Sequence, residues 1–142
     1  MTSTIMELFE RRDIEIPIDL IGQVEVPVLC GPQRQGDVGI FPRSPIGKDE
    51  RAGMSPVPND GVAVVRGEAG GNTHWLLPGG DVYWQPHAAG SGEVLLGVLH
   101  VDQNATAYLI HEEEHGCNAI GPGTYTLHGK REMASEIRRV AD

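Results

Sequence analysis

Between Val62 and Leu127 the apolar residues come in short runs, each closed by glycine, proline or asparagine, and this pattern constrains the fold more than any other. Such runs are too short for helices that bury one face, but they suit strands. Val62 to Val65 is one run. His74 to Leu77 and Asp81 to Trp84 flank Pro78-Gly79-Gly80, which has the composition of a hairpin turn. Val94 to Val101 is followed by Asp102-Gln103-Asn104 and then by Ala105 to Ile110. Gly121-Pro122-Gly123 leads into Thr124 to Leu127. The 19 glycines and 10 prolines of the 142 residues supply the turns that such strands need and leave little room for long helices. An all-β domain is expected, either a small barrel or a sandwich.

The first residues have a different period. Residues 3–12 predict a short helix with Ser3 or Thr4 as N-cap, Glu7 in the first turn, and an apolar side of Ile5, Met6, Leu8 and Phe9. From Asp13 the repeat becomes two, with Ile14, Ile16, Ile18 and Leu20, and then Val24, Val26 and Val28 after Gly22. Pro17 and Pro27 lack a backbone donor, so these stretches belong on a sheet edge or in an extended arm. The chain therefore divides into residues 1–29, a helix and extended arm, and residues 30–142, a single β-rich domain. Within the domain Val38 to Phe41 reads as a strand, and residues 42–60 read as a long exposed loop. ASEIRRVAD at the end predicts a short helix with Ser135 as cap. The fold class is thus all-β with an extended N-terminal arm and short terminal helices.

Charge and cysteine usage narrow the function classes. A net charge of −9 disfavours binding to nucleic-acid phosphates. Lys130, Arg131, Arg138 and Arg139 alternate with Glu132 and Glu136, the pattern of a solvated face. No apolar run reaches the length of a membrane span, and the N-terminus carries no signal-peptide core. A soluble protein made in a cytoplasm is expected, with no membrane partner. Cys30 and Cys117 have no ligand-type spacing. They read as thiols in a reducing compartment, with a disulfide between them left open.

The sharpest local pattern is His111-Glu112-Glu113-Glu114-His115. It satisfies H-E-x-x-H, in which two histidines one helical turn apart bind zinc and the glutamate acts as general base on a water. That arrangement requires a helix, whereas Tyr108-Leu109-Ile110 continues the series of strands and puts the histidines at a strand end and loop. A broader metal set adds His74, since a small β-domain can bring imidazoles together for zinc, iron or nickel. The competing reading makes each histidine a locally hydrogen-bonded side chain. No nucleophile motif is present, and GEAGGN at 67–72 lacks the spacing of a phosphate loop. Trp75 and Trp84 flank the expected hairpin, where they could stack or pack in the core.

Five pieces carry a resemblance: QRQGDV at 33–38, VVRGEAGGNTHWL at 64–76, HEEEHG at 111–116, GPGTYTLHGKRE at 121–132 and EIRRVAD at 136–142. In order and spacing residues 33–142 resemble a largely uncharacterised family of small phage and bacterial β-rich proteins. Its members tend to have two histidines after the GEA stretch. Here Asn72 stands at the first and His74 at the second, and the acidic-histidine piece is one residue longer. The resemblance implies a mainly β fold and a phage origin, and carries no reaction with it. The expected function is a non-enzymatic phage virion structural protein, most concretely a capsid decoration or assembly protein. It would act as a homo-oligomer on capsid subunits and be located in the virion, with no cofactor. Its contact would run through Ile14, Ile16, Ile18, Val24, Val26 and Val28. The alternative is a zinc-binding protein or metal-dependent hydrolase using His111 and His115, joined by His74.

Overall fold

Two-residue alternation pairs the short runs into two sheets, and each sheet turns one apolar face toward the other. A computed structural model of the protein describes residues 4–14, 26–65, 73–87, 95–112 and 116–129. The expected strand over Ile16, Ile18 and Val24, the GEAGGN stretch and the C-terminal helix lie outside those residues. In chain order the elements are α1 (Ile5–Glu10), β1 (Val28–Leu29), β2 (Gln33–Gln35), β3 (Val38–Pro42), α2 (Lys48–Ala52), β4 (Ser55–Pro56) and β5 (Val62–Val65). They continue with β6 (His74–Gly79), β7 (Val82–Pro86), β8 (Leu95–Val101), β9 (Thr106–His111), β10 (Cys117–Ile120) and β11 (Gly123–His128).

One sheet has five strands in the order β1-β10-β9-β6-β5, and the other has six in the order β2-β3-β11-β8-β7-β4. All neighbours are antiparallel except β1, which runs parallel to β10. Among the described residues both sheets are open and no barrel closes, so the sandwich alternative holds. Between them lies a core of Val38, Ile40, Leu76, Trp84, Leu99, Leu109, Ile120, Tyr125 and Leu127, among others. Alternate positions on each strand supply it, as a half-buried sheet requires.

A second core sits on the outer face of the five-stranded sheet. There Leu77, Tyr108, Ile110 and Ala119 are covered by Leu8 and Phe9 of α1 and by Val26, with Ile5, Ile14, Trp75 and Cys117 around them. β9 is therefore apolar on both faces. Thr4 caps α1 by accepting from the Glu7 backbone N–H. The helix ends where Asp13 adopts φ 54°, and the N–H groups of Asp13 and Ile14 return to the carbonyls of Glu10 and Phe9. This left-handed closure aims Ile14 back at Phe9, the contact that usually accompanies such a cap.

Two expectations need correction. Pro78-Gly79-Gly80 does not close a hairpin: β6 and β7 belong to different sheets, and Gly80, at φ +104°, carries the chain across. Of the two uses open to Trp75 and Trp84, core packing is the one found: Trp84 joins the inter-sheet core, and Trp75 packs against the second core on the outer face. Residues 42–60 are not a bare loop. They contain α2 and β4, bury Met54 and Val57, and are tied down by Arg43–Glu50 and Arg51–Asp102 ion pairs. Cys30 and Cys117 are both free thiols.

Candidate functional site

Alternation also decides which polar residues are carried inside. Leu76 on β6 and Leu109 on β9 face the inter-sheet core, so His74 and His111, each two residues away, face the same way. They are direct cross-strand partners at the end of the sandwich. The Glu112 backbone N–H donates to the Thr73 carbonyl, which makes 73/112 a hydrogen-bonded pair. The next pair, His74/His111, is then of the non-hydrogen-bonded kind, in which side chains stand closest. Their ring centroids are 4.4 Å apart at an interplanar angle of 50°, and each residue is only 5% exposed.

The partners of His74 come from the other sheet. β2 and β3 form a tight hairpin over Gly36 and Asp37, and its geometry turns Gln35 inward. Gln35 Oε1 lies 2.8 Å from His74 Nδ1. Gln35 Nε2 donates to the Leu109 carbonyl at 2.6 Å and to Asn118 Oδ1 at 3.0 Å. Asn118 Nδ2 donates to Gln33 Oε1 at 3.1 Å and to the Arg34 carbonyl at 3.3 Å. Gln33 Nε2 in turn donates to the carbonyls of Ala119 and Leu29. Three carboxamides thus stitch β2 to β1, β9 and β10 across the edge where the two sheets meet. The His74 pKa falls from 6.5 to about 4, chiefly through burial and secondly through His111, with Asp37 acting the other way. The ring is neutral near pH 7, with one nitrogen carrying a lone pair.

Not every predicted site residue comes here. His115 lies outside the described residues. Glu112 does not join the histidines: it lies next to the end of β9, and Trp75 Nε1 on the outer face donates to its Oε2 at 3.4 Å. Arg12 covers that indole with its guanidinium carbon 3.5 Å from the ring centroid. His111 ends a strand and not a helical turn, so the helical H-E-x-x-H reading does not apply at His111. No group of three His, Cys, Asp or Glu side chains arranged to hold a metal occurs among the described residues. Of the contact residues expected on the arm, Ile14 and Val26 are spent in the second core, while Val28 is exposed on β1.

Gln33, Gln35 and Asn118 went unnoticed in the sequence. The available signal was position: Gln33 and Gln35 open QRQGDV, and Asn118 closely follows HEEEHG. A second polar cluster was equally hidden. On the outer face of the six-stranded sheet, His100 Nε2 bonds Asp102 Oδ1 at 2.7 Å and Nδ1 lies 3.0 Å from Thr124 Oγ1. Arg51 of α2 donates to Asp102 Oδ2 at 3.1 Å and lies over the Tyr83 ring.

These features define an open antiparallel β-sandwich with a buried histidine pair at one end. The chain belongs to a family described as a domain of unknown function, DUF8820, which matches residues 34–130. The match spans β3 to β11 and includes Gln35, His74, His111 and Asn118, while α1 and β1 precede it. No curated protein and no solved structure matches the chain.

Proposed function

We propose that this domain binds a transition-metal ion at the inner end of the sandwich, with His74 and His111 as imidazole ligands; His115, the third candidate of the sequence motif, lies outside the described residues. The observation that carries this reading is the close, inward-facing pair of buried imidazoles, one of them held by a carboxamide from the opposite sheet. Metal ligation by histidine needs a deprotonated ring nitrogen and a partner on the other nitrogen to orient the ring. Imidazole donors suit zinc, nickel, copper or iron and not calcium or magnesium. Elemental analysis of protein purified without chelator should find about one equivalent of such a metal, with little in His74→Ala or His111→Ala. A folded parent that carries no metal and takes up none when titrated with zinc or nickel overturns the reading.

A second reading is a non-enzymatic virion structural protein, a capsid decoration or assembly subunit working as a homo-oligomer. Its support is the β1 edge, where Val28 is 37% and Leu29 50% exposed and no strand pairs with the outer side among the described residues. An exposed apolar edge is a template for strand addition. The phage part rests on the resemblance alone. Light scattering should find an oligomer that Leu29→Asp returns to monomer; a monomeric parent counts against it. Deleting residues 1–29 is the wrong test, because Leu8, Phe9 and Val26 belong to the second core.

A further inference from the structure

The carboxamide chain beside the histidine pair has a direction, and the direction has a chemical consequence. An amide group can face a carbonyl oxygen only through its NH₂ end, since an oxygen has no proton to offer. Gln33 Nε2 faces the carbonyls of Leu29 and Ala119, so Gln33 Oε1 is left to accept. Asn118 Nδ2 faces the Arg34 carbonyl as well as Gln33 Oε1, so Asn118 Oδ1 is left to accept. Gln35 Nε2 faces the Leu109 carbonyl and Asn118 Oδ1. Each amide is thus oriented by at least one backbone carbonyl of its own, and the three agree. Gln35 is left with Oε1 toward His74, and that oxygen can only accept. The hydrogen on a neutral His74 ring must then sit on Nδ1.

We infer that Gln35 is a positioning residue that locks His74 in the Nδ1–H tautomer and so presents Nε2 as the nitrogen able to ligate a metal. The metal part of this inference rests on the reading proposed above; the tautomer part does not. The lock works against intrinsic preference, because a neutral histidine side chain in water favours the proton on Nε2. It also explains why a carboxamide serves here. A carboxylate at position 35 would offer no NH₂ to the Leu109 carbonyl or to Asn118 Oδ1, leaving buried acceptors facing one another. A hydrocarbon would leave the ring free to choose either tautomer and to rotate. Ordering of this kind by the partner of the non-ligating nitrogen typically changes metal affinity about 10- to 100-fold.

The test is a nitrogen–proton correlation spectrum of the histidine side chains in uniformly ¹⁵N-labelled, chelator-treated full-length protein near neutral pH. His74 is assigned by its loss in His74→Gln. The expected result is a protonated Nδ1 and an unprotonated Nε2. A His74 ring with its proton on Nε2, or one averaging between tautomers, overturns the inference. Gln35→Leu should move the ring toward Nε2–H and weaken zinc binding about 10- to 100-fold, whereas Gln35→Asn with an unchanged tautomer would argue against a specific role for the Gln35 oxygen. If Gln35→Leu does not fold, the parent spectrum still decides. An Nδ1–H ring in a protein that takes up no zinc sustains the lock and defeats the metal reading. Zinc uptake by a protein whose His74 carries Nε2–H does the reverse.

Discussion

The two histidine clusters are built from opposite materials. At the inner end of the sandwich, His74 Nδ1 meets the neutral carboxamide of Gln35, and burial holds the ring neutral. On the outer face of the other sheet, His100 meets the Asp102 carboxylate, which also receives Arg51. His100 has both ring nitrogens engaged, one by Asp102 and one by Thr124. Nothing there is left to reach a ligand, and the visible result is that α2 is fastened to the sheet through Arg51. In the buried cluster the Gln35 carboxamide engages Nδ1 of His74, and among the described residues no carboxamide reaches Nε2. An imidazole with both nitrogens engaged fastens; one with a single nitrogen engaged is oriented with the other lone pair in hand. The lesson is that the number of ring nitrogens engaged, more than the histidine itself, separates a structural imidazole from a candidate ligand.

Acid should separate the two clusters most. The His74 ring takes up its proton near pH 6.5 when unfolded and at about 4 when folded. Between those values the unfolded chain holds the extra proton. The stability associated with a neutral His74 is therefore complete above about pH 6.5 and is lost as pH falls through 4. A shift of that size corresponds to about 3 kcal/mol in the metal-free protein. Urea unfolding at neutral pH and near pH 4, on chelator-treated parent and on His74→Leu, measures it. An acid limb as steep in His74→Leu as in the parent would break the contrast.

A smaller effect is expected at the charged cluster. Asp102→Ala removes the acceptor for both His100 and Arg51. Because Asp102 and Arg51 have side chains 29% and 39% exposed, water replaces part of what is lost. The cost should be about 1–2 kcal/mol in urea unfolding, and raising the salt concentration should narrow the gap between parent and variant. A salt-independent gap would mean that the cluster acts through packing and not through charge.

Much of the strand inventory was legible. Val62 to Val65 appears as β5 with those bounds, and the runs at Val94 to Val101, Ala105 to Ile110 and Thr124 to Leu127 appear within a residue or two of β8, β9 and β11. The cap at Thr4 was legible for the same reason: a side chain bonding a backbone N–H three residues on is a local event. β2 and β10 were not, since Gln33–Gln35 and Cys117–Ile120 are too short and too polar to announce a period. The expected Pro-Gly-Gly hairpin failed on a question that local composition cannot answer, namely which sheet the next strand joins.

His74 and His111 were grouped in the sequence as candidate imidazole ligands, and the structure does bring them together, but their direct cross-strand pairing was not legible. It follows from the register of β6 on β9, and a slip of one residue would have sent each to the other face. Gln35, Asn118 and Gln33 were further out of reach, because they act across the gap between sheets and carry no local pattern. Alternation, turns and caps are interactions between neighbours in the chain, so the sequence alone determined that this protein is built of short strands with a capped first helix. Register and sheet pairing are set by burying all the apolar faces at once, so only the tertiary structure decided which two histidines meet and which nitrogen one of them is left to offer.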